Sequence, residues 1–96
     1  MKRVPPNKLS SITPGQIRGA RALLGWSQEH LAHRSGISPR SVAAVELETT
    51  IPKSHTLESL IRALEVNGVE FSWTREGWPA IALEHARAVQ AAEETS

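Results

Sequence analysis

SQEHLAHRSGISPRSVAAVE, residues 27–46, decides how the rest of the chain is read. It contains two short amphipathic segments joined by "SGIS". Ser27 is placed as a helix N-cap, with Trp26 before it and Leu31 at the fourth helical position, the arrangement of a hydrophobic staple. Leu31, Ala32 and Ser35 turn inward, and Gly36 ends the segment. Ser38 caps a second helix at once, Pro39 is pre-set for its first turn, and Val42 and Val45 form its inner side. A helix stopped and immediately restarted is a corner. Ala32 is small where the two helices cross, Gly36 tolerates the positive φ of the turn, and Ile37 plugs the turn into the core. The second helix is therefore held out from the body.

Working outward, Thr13-Pro14-Gly15-Gln16 is a capping box that opens an earlier helix, with Ile17, Ala20, Leu23 and Leu24 on its apolar side and Gly25 as its stop. Polar residues 48–56 read as a loop containing Pro52. Leu57, Leu60, Ile61 and Leu64 give a fourth helix its stripe, closed by Asn67-Gly68. "VEFSW" (69–73) alternates with period two and predicts a short strand. "TREG" turns the chain, and Pro79 predicts a last helix over 79–93 with Ile81, Ala82, His85, Ala86 and Val89 on one side. Residues 1–12 read as a flexible basic arm, 13–68 as the folded unit built on the corner, and 69–96 as a C-terminal extension.

Composition sets the outer bounds. The chain has 96 residues, enough for one domain with a modest core, and no cysteine, so disulfides and thiolate metal sites are excluded. No apolar run approaches the roughly 20 residues that span a bilayer. The start "MKRVPPNKLSS" lacks the apolar stretch of a secretory signal. A soluble cytoplasmic protein without a membrane partner is the expectation. The net charge of +1 conceals an asymmetry: residues 1–53 carry eight Lys/Arg against three Glu, and residues 54–96 three Arg against seven Glu. Such a division favours a polyanion at one end and deters it at the other.

With the corner and its flanks in place, "QIRGARALLGWSQEHLAHRSGISPRSVAAVE" and "TLESLIRALEVNGVEF" resemble the Cro/phage-repressor (XRE-type, lambda-repressor-like) helix-turn-helix family, over residues 13–68. The resemblance implies an all-α, lambda-repressor-like bundle, here with a C-terminal extension of a short strand and an extra helix. It implies that the second helix of the corner enters the DNA major groove and the first crosses the backbone. It places Gln28 at a phosphate, and Ser38, Pro39, Arg40, Ser41 and Ala44 at bases or flanking phosphates. It also makes Arg21 and Glu46 a structural ion pair that belongs to the fold. From the chemistry of the side chains, Arg40 has the greatest reading power, because a guanidinium can bond guanine O6 and N7 together. Ala44 offers a methyl group, and Ser38 a hydroxyl for either a base edge or a phosphate.

One stretch departs from the family pattern. "ELETTIPK" has Glu48 in the usual glycine place and Thr49-Thr50 where Lys or Arg is common. Glu48 would repel phosphate, whereas Thr49, Thr50 and Lys53 can donate to it. Two functions follow. The first is a sequence-specific transcriptional regulator, a small dimeric repressor of the phage-repressor or antitoxin type on an inverted-repeat operator in double-stranded DNA. The alternative is a protein-binding antitoxin or antiactivator that keeps the scaffold and reads DNA weakly. Phe71, Trp73 and Trp78 either complete a small core or form a dimer or partner surface. His30 and His33 lie three apart on one helix, but no third ligand accompanies them, so no metal or other cofactor is expected. With no cysteine nucleophile, no Asp, no Gly-rich phosphate loop and no GxSxG, catalysis is not expected either.

Overall fold

The computed structural model describes residues 12–84. Four helices come first: α1 (Pro14–Leu23), α2 (Gln28–Ser35), α3 (Pro39–Leu47) and α4 (Ser54–Val66). A hairpin of β1 (Val69–Trp73) and β2 (Pro79–Leu83) follows. None of the described helices is long and apolar enough to cross a membrane.

Local chemistry sets most of the helix ends. The Thr13 hydroxyl accepts from the Gln16 N–H at 3.1 Å, and the Gln16 side-chain carbonyl accepts from the Thr13 N–H at 2.9 Å, which closes the capping box of α1. Ser27 accepts from the His30 N–H at 3.0 Å and Ser38 from the Ser41 N–H at 3.1 Å, capping α2 and α3 in the same way. Gly36 takes φ 76° and returns its N–H to the Ala32 carbonyl. The fourth helix starts inside the predicted 48–56 loop, at Ser54. Its N-cap, Lys53, makes no side-chain cap.

Two expectations are corrected here. Leu23 is 46% exposed, while Ile17, Ala20 and Leu24 are buried. At 100° per residue, Leu23 falls outside the arc those three define. The second correction concerns the predicted helix over 79–93. Residues 79–83 form β2, antiparallel to β1 with Phe71 opposite Ile81 and Trp73 opposite Pro79. "PAIAL" is too short to have a period of its own, and a partner strand next in sequence offers its backbone groups a ladder. The described residues therefore form four helices with a small sheet, and the fold is not all-α. His85, Ala86 and Val89 lie outside the described residues, as do residues 1–11 of the predicted arm.

One core joins helices and sheet. Ile17, Leu31, Val42, Val45, Leu60 and Leu64 pack together with Val69, Phe71 and Trp73 from the inner face of β1. A second tie holds the hairpin to α1. The buried Gln16 amide donates to the carbonyls of Ser72 (3.1 Å) and Ala80 (2.9 Å), on both strands. Three residues along, Gly19 leaves room for β2: a Cβ there would stand 2.7 Å from Ile81 Cδ1. The side chain that caps α1 thus also orients the sheet.

Candidate nucleic-acid interface

The corner is built as a rigid bracket. Ile37 packs against the core from the turn. Ser35 stitches the same turn, donating to the Ala32 carbonyl and accepting from the Ile37 N–H, each at 3.3 Å. Beyond the bracket, Ser38, Pro39 and Arg40 at the start of α3 are exposed, and Ser41 and Ala44 are half-buried. The Ser38 hydroxyl donates to the Ser41 hydroxyl at 3.0 Å while accepting its N–H, so the cap consumes Ser38 and leaves the Ser41 hydroxyl proton outward. Arg40 has no hydrogen-bond or ion-pair partner among the described residues.

Behind α3 lies the polar anchor of the domain. Glu46 is 1% exposed. Its carboxylate accepts from Arg21 Nε at 2.8 Å and Arg21 Nη2 at 3.0 Å, a two-point grip between α3 and α1. Arg21 Nη1 also donates to the Trp26 carbonyl at 2.9 Å, and Arg18 donates to the Glu46 main-chain carbonyl. Burial pushes the Glu46 carboxyl up. The hydrogen bonds from Arg21 and Gln28 and the positive charges of Arg21 and Arg18 outweigh it, so the net shift is downward. The hydrogen bond to Glu46 in turn raises Arg21 above the ordinary arginine value against its own desolvation.

Gln28, assigned to a phosphate on the sequence, donates Nε2 to Glu46 Oε1 at 3.0 Å. One amide proton and the side-chain carbonyl remain for another partner. The anchor thus reaches α1, α2 and α3 together, and it sets the tilt at which the start of α3 projects.

At the far end of α3, Glu48 adopts φ 59°, the only non-glycine residue with positive φ among the described residues. Thr49 folds back on the Ala44 carbonyl through its N–H at 3.1 Å and its hydroxyl at 3.4 Å. Thr50 and Lys53 are exposed, with Ile51 94% exposed between them. Arg40 supplies positive charge at the start of α3 and Lys53 at the N-cap of α4, hydroxyls supply neutral donors, and Glu48 supplies a negative charge at the end of α3.

The aromatic residues separate. Phe71 and Trp73 are buried in the core, so neither belongs to a free surface, because the odd-numbered residues of β1 face the helices. Trp78, in the hairpin connection, is 67% exposed. A cluster unread in the sequence lies on α2. Trp26 and His30 place their rings 4.7 Å apart, the Arg34 guanidinium sits 5.2 Å from the Trp26 ring, and Arg34 donates to Asn67 at 3.0 Å. The spacing of 26, 30 and 34 was the available signal. No group of three His, Cys, Asp or Glu side chains suited to a metal occurs among the described residues.

A family model described as helix-turn-helix matches residues 17–71, from α1 into β1. No curated protein matches the chain. The family match covers more than half of the sequence and contains the corner, the Arg21–Glu46 anchor and the fourth helix, so the chain belongs to the XRE-type (Cro/C1-type) helix-turn-helix family of DNA-binding transcription regulators.

Proposed function

We propose that this chain is a cytoplasmic, sequence-specific repressor of the phage-repressor or antitoxin type, acting as a dimer on an inverted repeat. The observation that carries the reading is the unpartnered Arg40 at the exposed start of α3, on a helix clamped from behind by Glu46. The planar guanidinium fork matches a guanine edge, and bidentate pairing there discriminates by about 1–3 kcal/mol. Gln28, Ser41, Thr49, Thr50 and Lys53 would hold phosphates and fix the register, while Ala44 would meet a thymine methyl. One copy reads few bases, so a two-fold pair with reading helices about 34–36 Å apart supplies the specificity. Repression follows from occupancy of the operator.

The experiment is a titration against DNA from the region upstream of the gene at about 50 and 200 mM salt, with a scrambled duplex and Arg40→Ala as controls. With 6–10 phosphate contacts, affinity falls roughly 10³–10⁵-fold over that range. Equal, weak binding to both duplexes would sink the reading.

A second reading is a protein-binding antitoxin or antiactivator. Glu48 and the exposed Leu47 and Ile51 favour it, because they put negative charge and apolar surface where phosphate grip is expected. In that case Arg40→Ala leaves function intact.

A further inference from the structure

A cavity of about 570 Å³ lies between the end of α2 and one side of α4, and every residue lining it is among the described ones. Its polar lining is mainly cationic and hydroxylic. Arg34 comes from α2, and His55, Ser59 and Arg62 come from α4, where spacings of four and three place them along one side of the helix. Glu58 is the one carboxylate in the lining, so two arginines face a single opposite charge. Ala63 and Val66 supply a short apolar wall. The volume falls in the range of small-ligand pockets.

The two arginines differ in how they are held. Arg34 donates through Nη2 to the Asn67 side-chain carbonyl at 3.0 Å, and Asn67 is itself tied to the Ala63 carbonyl at 2.7 Å. The Trp26 ring, 5.2 Å away, holds the same guanidinium from a second side. Part of the freedom that an arginine gives up on binding is therefore already lost in the free chain. One of its five N–H groups is in use, by a neutral amide, and the rest remain for another partner. Arg62 is exposed and makes no ion pair among the described residues, even though Glu58 stands one turn before it. Neither guanidinium has a carboxylate in contact within the described structure.

We infer that this cavity binds a small phosphate-bearing molecule, with its dianionic group held by Arg34 and Arg62. Guanidinium forks match phosphate oxygens and make charge-assisted hydrogen bonds to them. The Ser59 hydroxyl and the His55 ring add donors, and the organic part of the ligand lies along Ala63 and Val66. A protein partner is a poorer fit, because a protein contact is centred on large apolar or aromatic anchors. The cavity offers only an alanine and a valine, and the exposed Leu47 and Ile51 belong to the region after α3 instead. The ligand is taken by the free chain, so the inference stands apart from the repressor reading.

The test uses the full chain without DNA, isotope-labelled and titrated with sodium phosphate and with glycerol 3-phosphate, against sodium chloride at matched ionic strength. Both phosphates should shift the Nε–H signals of Arg34 and Arg62 saturably, with a Kd of about 1 mM or tighter, and chloride should not. Arg62→Gln removes a group without a structural partner, so it should weaken binding about tenfold at an unchanged melting temperature. Arg34→Gln should weaken it by at least as much, with thermal unfolding to check that it folds. Arg75→Gln, in the hairpin connection, should bind as wild type does.

No saturable shift up to about 20 mM phosphate, equal shifts with chloride, or full affinity in both arginine variants would overturn the inference. A DNA titration of the two variants separates the sources of phosphate. If the free chain takes neither phosphate while both variants lose DNA affinity and salt dependence, the arginines grip the DNA backbone and the cavity is no ligand site. Phosphate binding by a chain that binds no DNA would overturn the repressor reading alone.

Discussion

The two helices of the corner end in the same backbone conformation on very different residues. The end of α2 is Gly36 at φ 76°, and the end of α3 is Glu48 at φ 59°. Glycine adopts the left-handed region without steric cost, whereas a residue with a Cβ gives up about 1–2 kcal/mol there. At Gly36 local preference and tertiary demand agree. At Glu48 they conflict, and the conformation persists because α3 is held from outside its own sequence, by Arg21 on α1 and Gln28 on α2 gripping Glu46. The end of one helix is determined by its cap, and that of the other by the anchor two residues before it.

That contrast can be broken, most forcefully at the anchor. Glu46→Ala leaves the Arg21 guanidinium without its carboxylate and should cost roughly 3–5 kcal/mol, read as a loss of denaturation midpoint. Acid should act in the same direction. Glu46 has its carboxyl held below the ordinary value of 4.5 when folded, so its contribution is complete above that pH and is lost as pH falls below it. Thermal unfolding from about pH 6 down to 3 should show this loss in wild type and a shallower one in Glu46→Gln.

Arg40→Ala sharpens the comparison from the other side. It should weaken operator binding by about 1–3 kcal/mol per copy with an unchanged melting temperature, since Arg40 has no partner among the described residues. A fall in stability would show that the start of α3 is not a free reading end.

The two helix ends should then respond in opposite senses. Gly36→Ala should destabilise by about 1–2 kcal/mol. Glu48→Gly should stabilise by about 1 kcal/mol and, with one negative charge removed beside the reading helix, tighten DNA binding. Melting temperatures that move the same way in both variants would break the comparison.

Legibility followed the range of the interactions. The capping box at Thr13 and Gln16, the caps Ser27 and Ser38 and the stop at Gly36 each act within about one helical turn, and every one could be read from neighbouring residues. The β1 period was readable too, because alternation is a local pattern. What β1 packs on was not, so the sequence pointed Phe71 and Trp73 towards a dimer or partner surface, whereas the helices cover them and make them core. At 79–83 the proline and alanines agreed with a helix start, and only the register with β1 overruled them. Gln16 shows the limit most clearly. Its cap partner is three residues away and was anticipated, whereas its hairpin partners are 56 and 64 residues away and were not.

The candidate site divides along the same line. By itself the sequence determined the corner, the identity of the residues at the start of α3 and the family, because caps, glycines and apolar spacing are read along a single helix. Tertiary structure alone decided that Gln28 shares the Glu46 carboxylate, that Glu48 is forced into a glycine's conformation, and that residues 79–83 form a strand against β1. Those outcomes depend on which distant groups satisfy a buried charge, a helix end or a backbone amide, and no window of sequence contains both partners.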